Sequence, residues 1–260
     1  MARAEVDDQP RRRRGRRWGT GLLVVLLLLG GLLVAADRIG ARVAEDRIAA
    51  EVEQELAARD ARAGGMDVAV EGVPFLTQVL RGRYESVRIR LTELTGPVGG
   101  DTVRVPSLDV RAANVRASLE QLRSGRGEAV AETVDGTATI GYDSVATLLN
   151  QPQVQLAERA GRLVVSAPLT LAGQRYTLSG EAEIRAVDGK IQLRVARLDA
   201  PGLPNDPRVQ GLITAYAGQF TVTVPLPALP FGLTVREVRA LPEGLRVVAQ
   251  AVDVPLNAQR

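Results

Sequence analysis

The chain has no cysteine and no histidine among its 260 residues. Without Cys there is no disulfide and no thiolate nucleophile, and sulfur usage says nothing about redox compartment. Without His the commonest general base and the commonest transition-metal ligand are missing. A Ser-His-Asp triad, a Cys-His pair and a zinc site built on His or Cys are thereby excluded. The one lysine, Lys190, falls in a predicted hairpin turn and is discounted as a partner for a catalytic serine. Aromatic residues are also scarce: three Phe, four Tyr and one Trp leave few platforms for stacking bases. No glycine-rich phosphate loop opens a βαβ unit, so nucleotide-binding folds are not expected.

The positive charge is localised. Seven of the 33 basic residues stand in the first 17 positions against three acids (Glu5, Asp7 and Asp8), which leaves the remainder about neutral. A neutral body argues against a nucleic-acid partner. Residues 18–36 follow as an uncharged run, long enough to span a bilayer as a helix. Arginines just before it predict a cytoplasmic N-terminus and a body on the far side of the plasma membrane. The expected organisation is a basic tail (1–17), a signal-anchor (18–36) and an extracytoplasmic body (37–260). Val34, Ala35 and Ala36 also resemble a signal-peptidase site, so a cleaved signal peptide stands as the alternative.

Beyond the run, residues 37–60 show a helical stripe of Ile39, Val43, Ile48, Val52 and Leu56, expected to pack on a sheet face. Strands are predicted over 102–112, with a slip of phase at Pro106-Ser107, and over 128–140. Two or three more fall in 162–198, with a turn at Asp188-Gly189, and a hairpin turns at 242–244. Short helices are predicted at 74–81, 117–125, 142–151 and 206–219, and a Pro-rich apolar link at 224–232. The fold class is α+β: a long curved antiparallel sheet, one long N-terminal helix and several short ones, with room for a lipid-sized groove between sheet and helices.

The stretch VPFLTQVLRGRYESVRIRL (73–91) concentrates the question of function. Phe75, Leu76, Val79 and Leu80 repeat at helical spacing, Gly82 can stop the helix, and Val87, Ile89 and Leu91 then alternate as a half-buried strand. Carboxylate pairs such as Glu181 and Glu183 are the only route to glycosidase chemistry, but the chain lacks the aromatic platforms of sugar sites. Asp199, Asn205 and Asp206 match no calcium-binding loop. No enzyme activity, cofactor or metal is therefore expected. An apolar cleft with few polar handles suits a greasy ligand. The candidate lipid-contacting residues are Phe75, Leu76, Val79, Leu80, Leu148, Leu149, Leu212, Ile213, Tyr216 and Phe231, with Arg81 and Arg83 as head-group candidates. The competing readings are plain core, a scaffold that binds a protein partner, and a carboxylate hydrolase.

The blocks PFLTQ ending at Gly82, YDSVATLLNQ, and LPFGL with PEGL near the end resemble the LmeA-type phospholipid-binding proteins of actinobacteria. Pro74, Phe75, Leu76, Thr77, Gln78 and Gly82 carry the first block. Leu229, Pro230, Phe231, Gly232, Leu233, Gly244 and Leu245 carry the last. The resemblance covers roughly residues 37–256. It implies a lipid-transfer-like groove in a cell-envelope protein that binds phospholipid and supports maturation of mannosylated envelope lipids, and it brings no catalytic motif.

Overall fold

The computed structural model describes residues 14–98, 100–118, 120, 129–148, 153–171, 174–187, 190–199, 221–224 and 232–256. Its first element is a single helix, α1 (Arg14–Ala58). No proline interrupts the chain between Pro10 and Pro74, so nothing separates the apolar run from the charged stretch after it. From residue 25 to residue 34 its large apolar side chains are each more than half exposed. Among the described residues no helix is long and apolar enough to cross a membrane.

The C-terminal half of α1 lies on the sheet; Ile48, Val52 and Leu56 of the expected stripe are half-buried, but the turns before them face inward differently. Ile39 and Val43 are 61% and 49% exposed, while Asp37 and Ala41 are buried. The reason is the close approach of α2 (Phe75–Arg81): a Cβ on Gly40 would stand 3.4 Å from the Phe75 ring. Only small residues admit so near a neighbour, so Gly40, Ala41 and Ala44 turn inward. Asp37 Oδ1 accepts the Leu76 N–H at 2.8 Å, supplying a partner at the start of a two-turn helix. Gly82, in the left-handed conformation (φ 61°), ends α2, as its position after the apolar repeat predicts.

The main sheet has the order β1 (Gly65–Glu71), β2 (Arg83–Val98), β3 (Asp101–Arg116), β4 (Val130–Ile140), β11 (Gly244–Pro255), β10 (Thr234–Leu241). All neighbours are antiparallel. The register aligns apolar residues in rows across its inner face. One row is Val70, Val87, Ala112, Val134 and Ala251; the next is Val68, Ile89, Val110, Gly136 and Ala249. Edge strand β1 is covered by side chains: Glu45 accepts the Val70 N–H, and Gln78 donates to the Glu71 carbonyl. The expected phase slip at Pro106 is present without a break. Pro106 faces Glu93 (φ 50°) between the pairs Thr92–Ser107 and Leu94–Val105.

A second sheet runs β5 (Gln155–Arg159), β6 (Arg162–Leu171), β7 (Gln174–Val187), β8 (Lys190–Asp199), β9 (Thr221–Val224). The strands thus form two sheets where the sequence pattern suggested one. The strands on either side of the turn expected at 188–189 pair, with Val187 opposite Lys190, and the hairpin expected at 242–244 forms with Leu241 opposite Gly244. Gly244 is required: a Cβ there would lie 2.1 Å from the Ile140 carbonyl oxygen. The sheets meet through Ile184 and Ala186 of β7 against Val235, Val238, Val247 and Ala249. Helix α3 (Tyr142–Leu148) closes this junction with Val145 against Leu163, Ala182 and Leu245. The helix expected at 206–219, most of 117–125 and most of the 224–232 link lie outside the described residues.

The outer face of β1–β3 is a lattice of ion pairs. Arg88 bonds Asp109 with two nitrogens, Arg90 reaches Asp67 and Asp109, and Arg111 and Ser86 share Glu71. The Arg88 hydrogen bond holds the Asp109 carboxyl below its usual range, and the Ser86 hydroxyl does so for Glu71.

Two outcomes follow from this packing. Phe75 is buried and Leu80 is 83% exposed. Phe75→Ala is therefore expected to cost ~3–5 kcal/mol in denaturant unfolding, and Leu80→Ala close to nothing. Because the folded carboxyls of Asp109 and Glu71 titrate below their unfolded values, their stabilisation is whole above about pH 4 and is lost as pH falls through the folded values. The melting temperature should drop below about pH 4. Asp109→Asn should be less stable at neutral pH and show a flatter acid limb.

Candidate functional site

The predicted candidates divide by place. Phe75 lies in the core formed with Ala41, Tyr84, Ala112, Val115 and Val134. Leu76 and Val79 pack partly against that core, and Leu80 points outward. Leu148 ends α3 at the other end of the main sheet and is 40% exposed. Leu149, Leu212, Ile213, Tyr216 and Phe231 lie outside the described residues. The structure therefore brings Phe75, Leu76, Val79 and Leu80 together and leaves Leu148 far from them.

What covers the inner face of the main sheet varies along it. Ala41 and Ala44 of α1 pack over its α2 end. β7 of the second sheet packs against β10 and β11. Between these flanks Met66, Val68, Ile89, Leu108, Val110 and Ala138 are only half-buried. They belong to two adjacent rows of the register, so they form one continuous apolar strip. Gly136 carries no side chain into the middle of it, and Leu233 leans over that gap, 3.8 Å from where a Cβ would stand. None of these strip residues was singled out from sequence as a ligand contact. The sequence signal was only of strand faces: Ile89 alternating with Val87 and Leu91, and Leu108 and Val110 in the strand expected at 102–112.

At the α2 end of the strip stands Tyr84, 7% exposed, whose ring lies 6.4 Å from that of Phe75. Its hydroxyl is buried and has no hydrogen-bond partner among the described residues, and burial pushes its pKa up. Such a group usually finds a partner, because leaving it unpaired costs ~1–3 kcal/mol. Tyr142 offers the contrast: its hydroxyl donates to the Leu241 carbonyl at 2.7 Å, and burial with the nearby Glu158 charge raises its pKa to about 12.

Polar hollows also occur. Arg83, Tyr84, Glu85, Asn114, Arg116 and Glu132 line a depression of about 340 Å³. A second, of about 250 Å³, is lined by Glu183, Arg185, Gln192 and Arg194. The acids considered for hydrolysis are engaged in exposed ion pairs, Glu181 with Arg162 and Glu183 with Arg185. Among the described residues no group of three or more acids stands ready for a metal ion. Arg88 and Arg90, neighbours of the head-group candidates, are consumed by the outer lattice, while Arg81 and Arg83 are exposed.

Among the described residues the site is an apolar strip with one orphaned hydroxyl, which suits a lipid. No curated protein and no solved structure matches this chain. The family model described as LmeA-like phospholipid-binding matches residues 35–250, beginning where the exposed apolar run of α1 ends. That span is most of the chain, so the protein belongs to the LmeA-like phospholipid-binding family.

Proposed function

We propose that this protein is a membrane-anchored, extracytoplasmic phospholipid carrier that holds an acyl chain on the inner face of its main sheet. The observation that carries the reading is the half-buried strip from Met66 and Val68 across Ile89, Leu108 and Val110 to Ala138. Apolar surface left facing water gains ~25 cal/mol for each Å² that a ligand covers. An acyl chain supplies that cover and asks for no catalyst. The Tyr84 hydroxyl, in the same cluster as Val87 and Val110, is the polar handle for the ester or phosphate end.

The anchor rests on the uncharged residues 18–36, the arginines before them, and the exposure of the α1 side chains from residue 25 to 34. Family membership gives phospholipid as the ligand class. The resemblance stated from sequence supports a role in maturation of envelope lipids or lipoglycans.

The test is native mass spectrometry of the full chain with extraction of bound lipid. Stoichiometric phospholipid is expected. Val68→Thr with Val110→Thr preserves shape and strand propensity but puts two hydroxyls on the strip, and should lower retained lipid roughly tenfold, worth ~1.4 kcal/mol. Tyr84→Phe should also lower it while leaving the melting temperature unchanged or raised, since the hydroxyl has no protein partner among the described residues. A lipid-free mass that stays lipid-free after incubation with phospholipid vesicles would overturn the carrier reading and favour a protein-binding scaffold.

A further inference from the structure

Two sets of arginines stand on either side of the β1–β3 end of the main sheet; others, such as Arg62, Arg159 and Arg246, are also exposed and outside the ion pairs among the described residues. On the outer face of the main sheet Arg88, Arg90, Arg104 and Arg111 each meet an acid. Around α2 the pattern is the reverse. Arg38, Arg42, Arg81 and Arg83 are exposed and take part in no ion pair among the described residues. The largest exposed apolar side chains of the body near the anchor cluster with them: Leu80 at 83%, Val73 at 67%, Ile39 and Val43. α2 is fastened to α1 at Asp37 and Gly40, the first turn after the exposed apolar run. One end of the body thus presents arginines outside the ion pairs, with Asp37 beside Arg38 and with Glu85 and Glu132 sharing a hollow with Arg83, together with projecting hydrocarbon and adjoining an apolar helix segment.

We propose that this end, with α2 at its tip, is a contact surface for an anionic phospholipid bilayer. Val73 and Leu80 enter the boundary between head groups and acyl chains, and Arg38, Arg42, Arg81 and Arg83 meet the phosphates. Interfacial helices bind by this combination of buried apolar area and attraction to anionic lipid. Behind α2 the buried core of Phe75, Tyr84 and the Val70–Val87–Ala112–Val134 row separates it from the strip by one row of the register. The contact therefore sets the α2 end of the sheet, next to the strip, against the membrane from which a lipid would be drawn. This inference rests on the anchored reading given above.

The absence of cysteine makes the test clean, because a single introduced thiol is the sole site of labelling. The full chain, carrying Leu80→Cys, Val73→Cys or Asp101→Cys, is labelled with an environment-sensitive dye and reconstituted into vesicles of phosphatidylcholine with phosphatidylglycerol. Asp101 is the reference: it is exposed at the β2–β3 turn, at the far end of β3 from Arg116, which pairs with Arg83 beside α2. Nitroxide-bearing lipids should quench the dye at positions 80 and 73 roughly twofold or more and leave position 101 unquenched. Arg81→Gln with Arg83→Gln should reduce that quenching to the value seen on phosphatidylcholine alone. If the chain floats with the vesicles but positions 80 and 73 are as wet as 101, the contact surface is overturned and the anchor stands. A chain that does not float overturns both.

Discussion

The carboxylate of Asp37 holds the molecule's least self-sufficient element. A helix of two turns is unstable alone, because its nucleation cost is spread over too few hydrogen bonds. Here Asp37 accepts its N-terminal N–H, Gly40 lets its first aromatic ring come close, and Gln78 ties it to both adjoining strands through the Glu71 carbonyl and the Glu85 N–H. The Leu76 N–H, then the Phe75 N–H and the Arg38 charge, hold the pKa of that carboxyl below its usual range. With α2 in place, Phe75 can fill the space between α1 and the sheet, and β1 can stand as a covered edge. Without it the same residues would leave both the core and the edge strand open.

The parts of the fold announced by local signals were legible. α2 was marked by apolar spacing and Gly82, β2 by alternation, and the turns by Asp188-Gly189 and Pro242-Glu243-Gly244. The α1 stripe was legible at Ile48, Val52 and Leu56 but not around residues 37–44, because Gly40, Ala41 and Ala44 carry no hydrophobic signal while exposed Ile39 and Val43 do. β1, β5 and β9 were missed as short strands. The division into two sheets depends on long-range pairing that periodicity does not encode. Tyr84 was hidden for a related reason. The alternation of Val87, Ile89 and Leu91 would put it outside with Ser86, yet it is buried next to a residue pair, Glu85 and Asn114 (φ 51°), where the facing changes.

The two sheet faces do opposite work. The outer face satisfies its charges internally, so it has little to offer an ionic partner beyond weak, screened pairs. The inner face is satisfied only at its flanks. Its middle keeps apolar area that neither α1 nor the second sheet fully covers, and that unrealised burial is the free energy available to a ligand. A protein without His, Cys or an assembled metal-ligand cluster among its described residues needs nothing else to bind a hydrocarbon chain.

The unbroken helix α1 has a mechanical consequence. At 1.5 Å per residue its 45 residues form a rod about 68 Å long, with neither proline nor loop to act as a swivel. Tilt or rotation of its first half is therefore transmitted to Asp37, and from there to α2 and the sheet. On the anchored reading proposed above, the body is carried on a stiff mast and not on a tether, so its height and heading are set by the mast's own angle.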